Sequence, residues 1–354
     1  MELYIRADAD AAIGAGHVMR CLALAQAWQD QGGGVTFISR CENEGLRQRL
    51  RDESFALSML ERVYPDPDDL ERTLACLRQE GSPGPDDWFV LDGYHFTAEY
   101  QRAIHASGVK LLVMDDMNNL PAYSCDVILN HNSHAHRLTY ACDAGTVVLR
   151  GTEYVFLRRE FLQSGCADRK VPERARKILV ILGGADPDNV TLKVIEALQL
   201  LQEPDLDVSV VVGPVNRHTA SIRAALESSG LRHRLLVNPP DMAGLMADAD
   251  LAVSAAGGTC WELAYMGVPC IMIIVAENQR EVAGELGRAG AAVNLGWHNR
   301  LFCADMARAV EPVIASEAAR SEMIRKGLAM VTGDGAALTV AAMRSYAGRG
   351  GAQQ

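Results

Sequence analysis

The chain has 354 residues, 49 % of them hydrophobic, which is enough for two packed α/β cores and more than one ordinary domain needs. Against 34 basic residues stand 45 acidic ones, and the formal net charge of −11 makes a surface that repels nucleic acid and acidic membranes while leaving room for a local cationic pocket. Nine cysteines form no C-x-x-C pair and several lie inside apolar runs as small hydrophobes, which points to a reducing compartment. The opening MELYIRADAD lacks the basic and apolar regions of a signal peptide, and no apolar run reaches the ~18 residues of a membrane span. The expectation is a soluble cytoplasmic protein whose partner is a small molecule, with no membrane, nucleic-acid or obligatory protein partner.

Short apolar runs alternate with helix-period segments, the order of parallel sheets built from βαβ units. The first strand, Glu2–Ala7, runs into RADADAAIGAGHVMRCLALA, in which Gly14 and Gly16 precede a helix over His17–Gln31. Met19, Leu22, Ala23, Gln26 and Ala27 trace one face of that helix. A dinucleotide fingerprint would need a third glycine where Met19 stands and an acidic residue at the end of the second strand, about 20 positions on, and in FISRCE that strand ends with Ser39 and Arg40 instead. The glycines instead let a ligand approach backbone N–H groups at a helix start, where the dipole favours negative charge and a neutral imidazole. His17 is therefore either a general base in a cleft or a first-turn residue bonding a neighbouring carbonyl.

Further strands are expected at Val35–Ser39, Trp88–Leu91, Lys110–Met114 and Val127–Asn130. Asp92 and Tyr94 in VLDGYHF, and Asp115 and Asp116 in VMDDMNN, fall at strand ends and so should face the same cleft, although an aspartate at such a place is more commonly a helix cap or turn residue. His131, His134 and His136 have an H-x-x-H-x-H spacing without a clear further ligand, so a loop with polar contacts is expected rather than a metal site. Arg159–Lys177 is polar, carries Pro172 and reads as a linker.

A second α/β series follows, with KILVILGG, LDVSVVVG, LAVSA and PCIMIIV as strands. Helices are expected at Val190–Gln202, near Ala220–Ser229 and at Cys260–Met266. In ILGGADPDNVT, Asp188 or Asn189 could cap the next helix. In SAAGGTCWELAYMGVPCIMI, Gly257 and Gly258 would admit a diphosphate to N–H groups, and Thr259 adds a hydroxyl. Glu262 either closes a capping box with Thr259 or accepts from the hydroxyls of a ribose. Asn278 and Gln279 follow the last apolar strand, and the tail GRGGAQQ is expected to fray. No short-period repeat or coiled coil is present. The domains are placed at 1–165 and 173–345.

From about Arg6 to Gln279 these motifs, with ILNHN, GTEYVFLRREF and AENQ, resemble the PseG-type nucleotide-sugar hydrolases of pseudaminic acid biosynthesis. The string Ile13–Leu22 is specific to that family, whereas the A-G-G-T turn is shared with many glycosyltransferases. The resemblance implies an α/β, GT-B-like fold of two doubly wound Rossmann-like domains facing a central cleft, like that of the MurG transferases. It implies hydrolysis of UDP-2,4-diacetamido-2,4,6-trideoxy-β-L-altropyranose, by inverting C–O cleavage, with no metal or cofactor. His17 would be the base. Arg6, Asp8, Gly14, Gly16, Tyr94, Asn278 and Gln279 would meet the substrate, and Gly183, Gly184, Ala256, Gly257, Gly258, Thr259 and Glu262 would hold UDP. The threonine at 259 and the bulky Trp261 depart from the family's usual residues. The same layout also suits a GT-B transferase acting on an acceptor hydroxyl, or a non-catalytic nucleotide-sugar sensor. A metal phosphohydrolase built on Asp92, Asp115 and Asp116 is the remaining alternative.

Overall fold

A computed structural model describes residues 1–10, 13–62, 66–79, 83–165, 169–201, 203 and 205–346. The chain divides into two compact units, Met1–Arg159 with Gly333–Gln354, and Glu160–Thr332.

The first unit is built on a parallel seven-stranded sheet. Its strands are β1 (Glu2–Ala7), β2 (Gly34–Ser39), β3 (Ala56–Met59), β4 (Trp88–Asp92), β5 (Lys110–Met114), β6 (Val127–Asn130) and β7 (Val147–Arg150). They lie in the order β3-β2-β1-β4-β5-β6-β7. Inner strands such as β4 are buried along their whole length, as expected where helices cover both faces. The order reverses between β1 and β4, which pair Ala7 with Asp92 at their carboxyl ends, and such a switch point opens a crevice.

Helix Gly16–Asp30 is apolar nearly all round, burying Val18, Cys21, Leu22, Ala23, Leu24, Ala25 and Trp28. A helix of that kind needs cover on two sides. One side packs on the sheet, and the other packs on the C-terminal helix Gly335–Ser345 through Ala336, Val340 and Met343. The closing helix therefore belongs to the first unit, which corrects the expectation that residues 173–345 form one domain. Gly335 is required there, because a Cβ would lie 2.3 Å from the Val155 carbonyl oxygen.

The second unit carries a parallel six-stranded sheet: β8 (Lys177–Ile181), β9 (Asp207–Val212), β10 (Arg232–Val237), β11 (Leu251–Ala255), β12 (Cys270–Ile274) and β13 (Ala292–Trp297). Its order, β10-β9-β8-β11-β12-β13, reverses between β8 and β11. The expected linker is in part structured. Arg159–Ser164 is a helix, and the Arg159 guanidinium pairs with Glu53 (2.8 Å) and Asp30 (2.7 Å) of the first unit. Farther on, buried Arg320 donates to the Val313 carbonyl (2.7 Å), to that of Ile314 and to that of Pro172, tying the linker to a helix end. Gln202, the expected end of the helix observed as Val190–Leu200, lies outside the described residues, as do Cys166 and the tail GRGGAQQ. None of the eight described cysteines is in a disulfide. Among the described residues no helix is long and apolar enough to cross a membrane.

Candidate active site

At the switch point of the first sheet, a cavity of about 310 Å³ is lined by Asp8, Ile13, His17, Asp92, Gly93, Tyr94 and His95. The turn before His17 is closed by Asp10, whose carboxylate accepts from the Ile13 N–H (2.7 Å) and whose carbonyl accepts from that of Gly14 (2.9 Å). Gly14 adopts φ +77°, which favours glycine, and a Cβ at Gly14 or Gly16 would meet nothing within 4 Å. The chain thus enters the helix beside open space. Ala11 and Ala12 lie outside the described residues.

His17 is buried, and its Nδ1 lies 2.7 Å from Asp92 Oδ1. A carboxylate only accepts, so Nδ1 carries the proton and the neutral ring keeps its lone pair on Nε2. The expected alternative, a bond to a neighbouring carbonyl, is replaced by this pairing with a carboxylate 75 residues away. Nor is Asp92 a cap or turn residue. It ends β4, 1 % exposed, and also accepts from Arg20 Nε and Nη2 (both 2.6 Å) and from the Cys21 thiol (3.4 Å). Burial opposes its ionisation, but Arg20 and His17 outweigh that and hold it well below the usual carboxylate range.

Arg20 also donates from Nη1 to both oxygens of Asp116 (3.0 and 2.8 Å). Asp116 accepts in addition from the Tyr94 hydroxyl (2.7 Å) and Asn132 (2.9 Å). The Tyr94 ring meets His17 edge-on, with centroids 4.9 Å apart. Arg20, Cys21 and Asn132 were not singled out from sequence. The available signal was the spacing His17, Arg20, Cys21, positions i, i+3 and i+4, which share one helical face.

Asp115 is the turn aspartate of the pair, accepting from the Asn118 N–H (2.8 Å) and from the hydroxyls of Tyr123 (2.9 Å) and Tyr140 (2.7 Å). Arg6 is 1 % exposed and does not line the cavity. Its guanidinium is held by both oxygens of Asp8 and by Asp69 (2.6 Å), so it acts on the cavity through Asp8. Asp8 in turn accepts from the Arg40 N–H (2.7 Å). In these two clusters two guanidinium groups face four carboxylates, which leaves the wall with net negative charge. The three histidines of NHNSHAH diverge: His131 packs edge-on against Phe156, His134 Nε2 lies 3.0 Å from the Asp116 carbonyl, and His136 sits beside Gly151. Burial and Arg20 push His131 down to about 4, so it is neutral at pH 7. Among the described residues no group of three or more His, Cys, Asp or Glu side chains is arranged to hold a metal.

In the second unit the carboxyl ends of β8 and β11 bring the two glycine turns side by side, since Ser254 pairs with Ile181. Gly183, at φ +87°, and Gly184 are exposed, and a Cβ at either, or at Gly258, would meet nothing within 4 Å. At Gly257 a Cβ would meet only the Gln279 amide, at 3.7 Å. Gln279 folds back to accept from the Val275 N–H (3.0 Å), and Asn278 beside it is exposed. Ala256 is buried and Thr259 opens the helix Thr259–Tyr265. The capping box is not formed: Gly258 is the N-cap residue and makes no side-chain cap bond, while Glu262 lies in the first turn. The N–H groups of Cys260 and Trp261 are already bonded to the carbonyls of Gly257 and Gly258 (both 3.0 Å), so an anion here would meet the turn rather than the helix proper. Trp261 is 2 % exposed and belongs to the core, not to a pocket wall. The next helix is capped by Asp186, not Asp188 or Asn189. Its carboxylate accepts from the N–H groups of Val190 (2.8 Å) and Thr191 (2.9 Å).

Residues 178–333 match the model of the glycosyltransferase family 28 C-terminal domain, a span that ends where the chain returns to the first unit. The chain is 26 % identical over 339 residues, 95 % of each chain, to the spore coat polysaccharide biosynthesis protein SpsG of Bacillus subtilis. It is 23 % identical over 299 residues, 83 % of this chain and 98 % of the other, to the UDP-2,4-diacetamido-2,4,6-trideoxy-β-L-altropyranose hydrolase of Campylobacter jejuni. Among solved structures it is similar to Acinetobacter baumannii MurG, with a TM-score of 0.66 at 16 % identity over 97 % of this chain and 99 % of that one. With its two doubly wound parallel sheets, the protein has the two-Rossmann-domain GT-B fold.

Proposed function

We propose that the protein is a UDP-sugar hydrolase that releases UDP and a free sugar by cleaving the C1–O bond with inversion, acting in the cytoplasm. The observation that carries this reading is His17, fixed by Asp92 with Nε2 available as a base, on the wall of a cavity of about 310 Å³, the size of a small ligand site. In this reading Nε2 takes a proton from water, the water oxygen bonds to C1, and the C1–O electron pair leaves with UDP. The diphosphate departs as a stabilised anion, so no strong acid is needed. The glycine turns at Gly183–Gly184 and Ala256–Thr259, with Glu262 nearby, are the groups assigned to UDP, and the family 28 match over this unit supports that assignment. Asp8, Tyr94 and the turn at Gly14–Gly16 are assigned to the sugar, with Asn278 and Gln279 as further substrate contacts. The net negative wall favours the positive charge that develops on an oxocarbenium-like sugar.

The Campylobacter jejuni relative supports the UDP-2,4-diacetamido sugar as substrate, and with it a place in pseudaminic acid synthesis. In ¹⁸O-water the label is expected in the sugar, and label in UDP rejects C–O cleavage. His17→Asn is expected to lose most turnover, chelator to leave it unchanged. A second reading, a GT-B transferase, is favoured by the family 28 match, because the same base would serve an acceptor hydroxyl. Release of UDP without acceptor, at a rate comparable to that with one, decides for hydrolysis.

A further inference from the structure

Five side chains of the first unit close a circuit. His17 bonds Asp92, Asp92 bonds Arg20, Arg20 bonds Asp116, Asp116 accepts from Tyr94, and the Tyr94 ring returns edge-on to His17. We propose that Arg20 is a positioning residue that couples the imidazole of His17 to the phenol of Tyr94, so that the two act on the sugar as one unit. This deepens the hydrolase reading and rests on it for the word sugar, but not for the coupling itself.

The geometry requires a guanidinium. Nε and Nη2 grip Asp92 side-on while Nη1 reaches both oxygens of Asp116, and the two carboxylates come from the ends of different strands, β4 and β5. An ammonium has one nitrogen and cannot hold both in these directions. Arg20 Nη2 also lies 3.4 Å from His17 Nδ1. The other charged or titratable groups around the ring are Asp92, Tyr94 and His95 from the β4 side, Asp8 after β1, Asp116 after β5 and His131 after β6.

Imidazole NMR of the full-length protein tests the coupling without any substrate. At a fixed pH the His17 ring shifts of the parent are expected to respond to Tyr94→Phe, since the hydroxyl it removes is bonded to Asp116 and through it to Arg20. In Arg20→Lys, which keeps the charge, the His17 shifts are expected to become sensitive to Tyr94→Phe no longer. A Tyr94→Phe effect as large in Arg20→Lys as in the parent overturns the proposal. Turnover gives the second reading. Arg20→Lys and Tyr94→Phe are expected to be non-additive, the tyrosine change costing at least about threefold less in the lysine background. Additive effects refute the coupling. Loss of all nucleotide-sugar turnover in the parent protein refutes the hydrolase reading alone, because the NMR arm does not depend on it.

Discussion

Replacing Asp116 with Asn changes charge but not shape, and every contact the carboxylate makes is with a donor. Arg20 Nη1 approaches both oxygens, Tyr94 donates at 2.7 Å and Asn132 at 2.9 Å. An amide keeps one accepting oxygen and turns an NH₂ toward the rest, so part of the set is lost and Arg20 is left with Asp92 alone. Burial would raise the carboxyl, but Arg20 outweighs it and holds Asp116 at about 2, against an ordinary 3.8. That difference corresponds to about 2 kcal/mol of folding stability. The sign follows from proton binding. The unfolded chain takes up the proton near pH 3.8 and the native chain near 2, so the contribution is complete above pH 3.8 and is lost as pH falls toward 2. Urea unfolding of the first unit, followed at Trp28 and Trp88, is expected to show Asp116→Asn about 2 kcal/mol less stable at pH 7 and its deficit shrinking between pH 4 and 2. A deficit that persists unchanged at pH 2, or a variant as stable as the parent at pH 7, would show that Asp116 is not held ionised by Arg20.

Three further outcomes are expected. His131, held at about 4 by burial, binds its proton late in the native state, so stability falls as pH drops from 6.5 toward 4, by about 3 kcal/mol; His131→Leu should flatten that stretch of the curve, and an unaltered slope would refute it. A Cβ at Gly213 would lie 2.2 Å from the Gly184 carbonyl oxygen, so Gly213→Ala should displace the Gly183–Gly184 turn and weaken UDP binding by about tenfold in calorimetry; unchanged affinity removes that turn from the UDP site. Val340, fully buried on helix Gly16–Asp30, should on change to Ala lower the first unit's transition by about 2 kcal/mol and leave the second unit's in place, whereas a loss in the second unit would contradict the assignment of the closing helix.

Burial on both faces explains what was legible in the sequence. All nine strands expected from apolar runs are interior ones, β1, β2, β4, β5 and β6 in the first sheet and β8, β9, β11 and β12 in the second. The four that were missed, β3, β7, β10 and β13, are the edges of the two sheets. There one side is unpaired and half-exposed residues such as those of Arg232–Val237 leave no continuous apolar signal. The glycine turns and the placing of His17 at a helix start were equally local, since backbone conformation and helix periodicity are properties of neighbouring residues. Tertiary structure decided the partners. That Asp92 receives His17, Arg20 and Cys21 rather than capping a helix depends on β4 lying beside β1, a pairing between residues some 85 apart. Likewise the last helix returns to the first unit because the all-round apolar face of Gly16–Asp30 needs covering, and no local pattern in Gly335–Ser345 says which core it will meet.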